Sequence, residues 1–123
     1  MSARRASARS DMYIIIWEFH ARLGSESAFE RAYGPDGEWA RLFARGEGFL
    51  GTELIRDESA ANRYLTIDRW ESPAAFEDFQ AKWAEEYHAL DRRCEGLTEE
   101  ESLIVSGVVS DGEATQSFQR QNY

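Results

Sequence analysis

The chain has 123 residues, 42% of them hydrophobic and 13% aromatic, with a formal net charge of −9. That is one domain of ordinary size with a real core, and its acidic balance argues against a nucleic-acid surface. No apolar run suits a membrane span or a secretory h-region, and a lone cysteine, Cys94, excludes an intramolecular disulfide and fits a reducing cytoplasm.

In chain order, residues 1–11 (MSARRASARSD) are expected to be a disordered tail, with Met12 an alternative translation start. Tyr13–Ala21 is β-branched and aromatic and reads as a strand closed by Leu23-Gly24-Ser25. Ser27-Ala28-Phe29-Glu30 has capping-box spacing and opens a helix. Gly34-Pro35-Asp36-Gly37 breaks that helix, because Pro removes a donor and clashes with the preceding turn. It resumes from about Glu38 to Arg45, with Trp39 and Phe43 on one face, and Gly46-Glu47-Gly48 ends it.

Phe49–Arg56 and Tyr64–Trp70 read as strands joined by the polar turn 57–62, hence a hairpin. A second long helix is expected over Pro73–Cys94, with Ser72 as cap and Pro73 in the first turn. At 100° per residue, Phe76, Phe79, Gln80, Trp83, Tyr87, Leu90 and Cys94 share a narrow arc. Thr98-Glu99-Glu100-Glu101 has capping-box spacing for a short turn or helix, and Ser102–Val109 is the last strand. Residues 111–123 read as a second tail, leaving 12–110 as the domain.

The order strand, helix, strand, strand, helix, strand predicts an α+β ferredoxin-like sandwich, a four-stranded antiparallel sheet with helices on one face. On the first strand, Tyr13, Ile15, Trp17 and Phe19 point one way and Ile14, Ile16, Glu18 and His20 the other. Both faces carry large apolar groups, and the helices can cover only one. A second copy of the sheet is the simplest cover, so a homodimer is expected. The third strand leaves the orientation open: Leu65 and Ile67 look more core-like than Thr66 and Asp68, yet they face away from Trp70.

The strand–helix junction Trp70-Glu71-Ser72-Pro73-Ala74-Ala75-Phe76, the element order and the first strand's close at Gly24 are similar to those of the antibiotic biosynthesis monooxygenase family. These are dimeric α+β barrel proteins, and the resemblance covers about residues 12–110. It implies a dimeric α+β barrel and, for one branch, oxygenases that convert polycyclic phenols to quinones without metal or organic cofactor. A heme-degrading branch uses a helical His and a first-strand Asn. The matching positions here look like Gln80 and Trp17, which are poor iron ligands, so heme degradation is not expected.

A cofactor-free oxygenase needs an aromatic pocket, a base and one or two hydrogen-bond donors, so that a small aromatic molecule can be deprotonated, held flat and kept dry. Trp17, Tyr33, Trp70, Phe76, Phe79 and Trp83 are candidate walls. Gln80 is a candidate donor, and Asp68, two residues before Trp70 on the same strand face, is the candidate base if burial raises its pKa. Each has a plainer role. The aromatic stripe is also what a core needs, Trp70 can bond its indole N–H to a backbone carbonyl, and Asp68 can pair with an arginine such as Arg69 of a partner chain or Arg92. His88 borders solvent on the helical wheel, and His20 lies on the expected dimer side beside Glu18. The two histidines and one cysteine are scattered and offer no zinc spacing. A non-catalytic dimeric binding module of the same fold is the alternative reading.

Overall fold

The structure, a computed structural model, describes residues 12–110. The tails expected at 1–11 and 111–123 lie outside the described residues. The chain runs β1 (Tyr13–Ala21), α1 (Glu26–Tyr33), α2 (Glu38–Phe43), β2 (Phe49–Arg56), β3 (Arg63–Trp70), α3 (Pro73–Lys82), α4 (Ala84–Cys94), a 3-10 turn (Glu95–Leu97) and β4 (Thr98–Val108). The strands form one antiparallel sheet in the order β2-β3-β1-β4. This is the expected α+β ferredoxin-like arrangement, with the helices on one face.

Three local expectations are corrected. The capping box at Ser27 is not used: α1 starts after Ser25, and Ser27 instead accepts a hydrogen bond from Arg31 one turn on. Thr98–Glu101 is strand rather than turn, because β1 supplies a ladder partner to Thr98, Glu100 and Glu101. Pairing along a neighbouring strand outweighs a local cap. The long second helix bends at Trp83, where φ −113° and ψ 28° end α3 and begin α4. Residues beyond the bend are therefore rotated off the arc that a straight helix would draw.

The junction after β3 is built as its sequence suggests. Ser72 Oγ accepts a hydrogen bond from the Ala75 amide at 3.1 Å, and Pro73 opens α3. Above it, Trp70 is fully buried, with ring centroids of Phe49, Phe79, Phe76 and Phe43 all 5.1–5.8 Å away. The rest of the core runs along the same sheet face through Ile15, Phe19, Phe29 and Tyr64. The Tyr64 hydroxyl donates to Glu30 at 2.6 Å, tying α1 to β3. Burial, and then Glu30, push that phenol up to about 12.

Register settles which face meets the helices. Trp17 pairs with Thr66, Ile15 with Asp68 and Tyr13 with Trp70, so Tyr64, Thr66, Asp68 and Trp70 are the buried set. Leu65 and Ile67, the more core-like pair by composition, lie on the opposite face with Ile14 and Ile16, all half-buried. Ile55 and Val105 continue that face at 45% and 49% exposed. Two ion pairs cross it, Arg69–Glu53 at 2.8 Å and Arg63–Glu18. Among the described residues no helix is long and apolar enough to cross a membrane.

Candidate functional site

A cavity of about 400 Å³ opens between the sheet and the helices. Its floor comes from three adjacent strands: Trp17 and Phe19 of β1, Thr66 and Asp68 of β3, and Glu101 of β4. Strand alternation places each pair on one face. Its roof comes from Tyr33 at the end of α1, Trp39 and Phe43 of α2, and Tyr87 and Asp91 of α4. Trp39 and Phe43, like Tyr87 and Asp91, are four apart and so share a helix face.

The aromatic rings brace one another. Tyr33 lies 4.8 Å from Phe19 and 6.0 Å from Trp39, and Tyr87 meets Trp39 edge-on at 5.0 Å. Such contacts fix ring orientation as well as bury area. Phe19, Tyr33, Trp39 and Phe43 are buried, whereas Asp91 and Glu101 are exposed and mark the mouth.

Asp68 is the buried carboxyl among the residues lining this space. Its side chain is buried, at 7% exposure. Thr52 Oγ1 donates to its Oδ1 at 2.7 Å. Its other oxygen has no hydrogen-bond donor, and no cation pairs with it, among the described residues. Burial disfavours the charged form and pushes the carboxyl up to about 6, and the Thr52 hydrogen bond only partly counters that. Burial also raises the Tyr33 and Tyr87 phenols, and it raises Glu101 at the mouth, where the Asp91 charge adds to the effect.

Of the residues singled out from sequence, Trp17, Tyr33 and Asp68 come together on the cavity. The others do not line it. Trp70, Phe76 and Phe79 form the packed core behind Phe43, because α3 seals that end of the sheet. The Trp70 indole N–H is buried without an acceptor among the described residues, so the bond to a backbone carbonyl offered as its plainer role is not made there. Gln80 is exposed on α3. Trp83 sits at the helix bend, with the Arg45 guanidinium 5.2 Å and the Lys82 ammonium 5.9 Å from its ring. Within the chain Asp68 does not pair with Arg92, and Arg69 points to the other face and bonds Glu53.

Sequence reasoning missed Phe19, Trp39, Phe43, Thr66, Tyr87, Asp91 and Glu101 as lining residues. Phe19 and Thr66 were findable by parity from Trp17 and Asp68, and the Trp39–Phe43 face by helical spacing. Glu101 was hidden by its assignment to a turn. Among the described residues no group of three or more His, Cys, Asp or Glu side chains is placed to hold a metal ion.

The antibiotic biosynthesis monooxygenase family matches residues 12–92, and the chain belongs to that family. Several solved structures are similar. SnoaB, a cofactor-independent oxygenase from Streptomyces nogalater, is 27% identical with a TM-score of 0.52, covering 77% of this chain and 92% of that one. A Shewanella oneidensis protein is 20% identical with a TM-score of 0.60, covering 82% and 95% of the two chains. A Pseudomonas aeruginosa protein is 22% identical with a TM-score of 0.57, covering 84% and 96%. The last two likenesses concern the fold alone. No curated protein sequence matches the chain.

Proposed function

We propose that this protein is a cofactor-independent monooxygenase that acts on an aromatic small molecule in the cavity under α2 and α4. The observation that carries this reading is Asp68: a buried carboxyl raised to about 6, with one oxygen anchored by Thr52 and the other unclaimed, on a cavity otherwise walled by aromatic rings. A base poised near neutrality is what proton abstraction requires. The likeness to SnoaB supports the reading.

In the proposed reaction, Asp68 takes a proton from the bound aromatic. The resulting anion gives one electron to dioxygen, and the two radicals combine to a peroxide. The proton held by Asp68 returns to the peroxide. The freed carboxylate then takes the remaining hydrogen of the peroxide-bearing carbon as a proton. The C–H electron pair becomes the second C–O bond, and the O–O bond breaks to release hydroxide, which picks up that proton. Water leaves with one oxygen, and the other stays on the ring carbon as a carbonyl. Both reducing equivalents come from the substrate. Trp17, Phe19, Trp39 and Phe43 hold the ring flat and exclude water, while the Tyr33, Tyr87 and Thr66 hydroxyls offer hydrogen bonds to its oxygens.

The working form in this proposal is a homodimer in the cytoplasm. The apolar sheet face that the helices leave open, Ile14, Ile16, Ile55, Leu65, Ile67 and Val105, supports the dimer, and the lone buried cysteine supports the compartment.

Oxygen uptake against a panel of phenols, quinols and anthrones tests the activity. Turnover of at least one, cut about 100-fold in Asp68→Asn, is the expected result. No uptake with any of them, alongside tight binding, would favour a non-catalytic aromatic-binding module. Full turnover in Asp68→Asn would move the base elsewhere.

A further inference from the structure

The charges around the cavity are one-sided. Three carboxylates line it, Asp68 on the floor and Asp91 and Glu101 at the mouth, and among the described residues the lining contains no Lys, Arg or His. The buried Asp68 keeps one oxygen without a donor among the described residues. The remaining walls are six aromatic rings, Trp17, Phe19, Tyr33, Trp39, Phe43 and Tyr87, and the hydroxyl of Thr66. Aromatic faces beside carboxylates attract a large, weakly hydrated organic cation, through the ring quadrupole and through charge. A small metal ion needs several oxygens converging on one point, and the described acidic groups do not converge so.

We propose that this cavity selects an aromatic molecule that carries a protonated amine. The inference rests on the oxygenase reading for the site's location and deepens it by naming the substrate class. It also resolves a difficulty in that reaction. Proton abstraction moves the negative charge from Asp68 onto the substrate, and an anion beside the Asp91 and Glu101 carboxylates, with no cationic side chain lining the cavity among the described residues, is disfavoured. A substrate that brings its own ammonium group supplies the missing counter-charge. The free oxygen of Asp68 accepts from the acidic group of the ring, and Asp91 and Glu101 face the ammonium at the mouth.

The test is calorimetric titration of the full chain, at neutral pH and low ionic strength, with three probes of one shape: naphthylmethylamine (protonated), naphthalenemethanol (neutral) and naphthoate (anionic). The expected result is that the amine binds about tenfold or more tighter than the alcohol, with naphthoate weakest. In the Asp91→Asn, Glu101→Gln double variant, which changes only exposed side chains, the amine-to-alcohol ratio should fall to within about threefold. Equal binding of amine and alcohol, preference for naphthoate, no binding of any probe, or an unchanged ratio in the variant would each overturn the proposal. The oxygenase reading is separable. Neutral phenols turned over in preference to aminated ones would overturn the charge selection and keep the oxygenase. Amine-selective binding with no oxygen uptake on aminated phenols would sustain the charge selection and sink the oxygenase.

Discussion

A single buried carboxyl links stability to chemistry here. The ordinary value for Asp68 is 3.8, and burial pushes it up to about 6, so the folded protein holds this proton more tightly than the unfolded chain does. Asp68 therefore does not oppose folding below about pH 4, and it costs stability as pH rises, with the full cost present above about pH 6. A rise of that size corresponds to roughly 3 kcal/mol at most. Asp68→Asn keeps the shape and can still accept from Thr52. It should be more stable than the wild type in urea melts at pH 8, with the advantage fading towards pH 4. If Asp68 is the base, kcat/KM should rise with pH through about 6 in the wild type, and Asp68→Asn should lack that limb. A variant more stable and less active is the pattern expected of a residue kept for function. Trp70 should behave in the opposite way. Its ring is fully buried, its N–H has no acceptor among the described residues, and it does not line the cavity. Trp70→Phe loses ring volume and also removes an unpaired donor, so denaturant melts should show a loss of about 1–3 kcal/mol, with turnover per folded molecule changed less than about threefold.

The elements owe their positions to a few backbone constraints. Gly37, where the Gly34–Gly37 turn folds back on α1, has no room for a side chain. A Cβ there would lie 2.4 Å from the Arg31 carbonyl oxygen and 2.5 Å from that of Ala32. Both are backbone atoms that cannot step aside, so Gly37→Ala should cost about 3 kcal/mol or more. Gly96→Ala, which would meet nothing within 4 Å, is the control and should be near neutral in the same melts. Gly37 matters to the site because this turn aims α2, and with it Trp39 and Phe43, at the cavity. At the other end, Ser72→Ala deletes the cap on the Ala75 amide and should lower stability by about 1 kcal/mol without altering ligand affinity.

At the scale of the whole molecule, the open sheet face is the main unsolved surface of the single chain. Its apolar residues lie next to the Arg63–Glu18 and Arg69–Glu53 pairs, and the Arg63 guanidinium holds Glu18 below the ordinary carboxylate range. If two sheets meet there, sedimentation at micromolar protein should show a species of twice the chain mass. Ile16→Glu and Ile67→Glu, which put a carboxylate at the centre of that face, should each shift it to monomer. A wild-type chain that sediments only as monomer would remove the dimer from the proposed function.

How much was legible in the sequence depended on the range of the interactions involved. The four strands, the Gly-Pro-Asp-Gly break, the capped start of α3 and hence the ferredoxin-like class are written in local pattern: β-branched runs, turn residues and helix caps act within a few positions. The suspicion of Asp68 and its neighbours Trp17 and Tyr33 came from the same patterns, together with the family resemblance. Three things were not local. The bend at Trp83 rotated α4 relative to α3, and α3 docked on its Phe79 side, which leaves Gln80, one residue and about 100° further round the helix, exposed. Ladder pairing with β1 turned Thr98–Glu101 into strand and carried Glu101 to the cavity mouth. The choice of sheet face went to Thr66 and Asp68 over the more apolar Leu65 and Ile67. It was made by where Trp70 and Tyr64 could pack, since parity then dragged the polar residues of β3 inward. Local propensity therefore determined the list of elements. Only the tertiary packing decided which polar groups are buried with them, and a buried, half-satisfied carboxyl is what gives this fold a candidate chemistry.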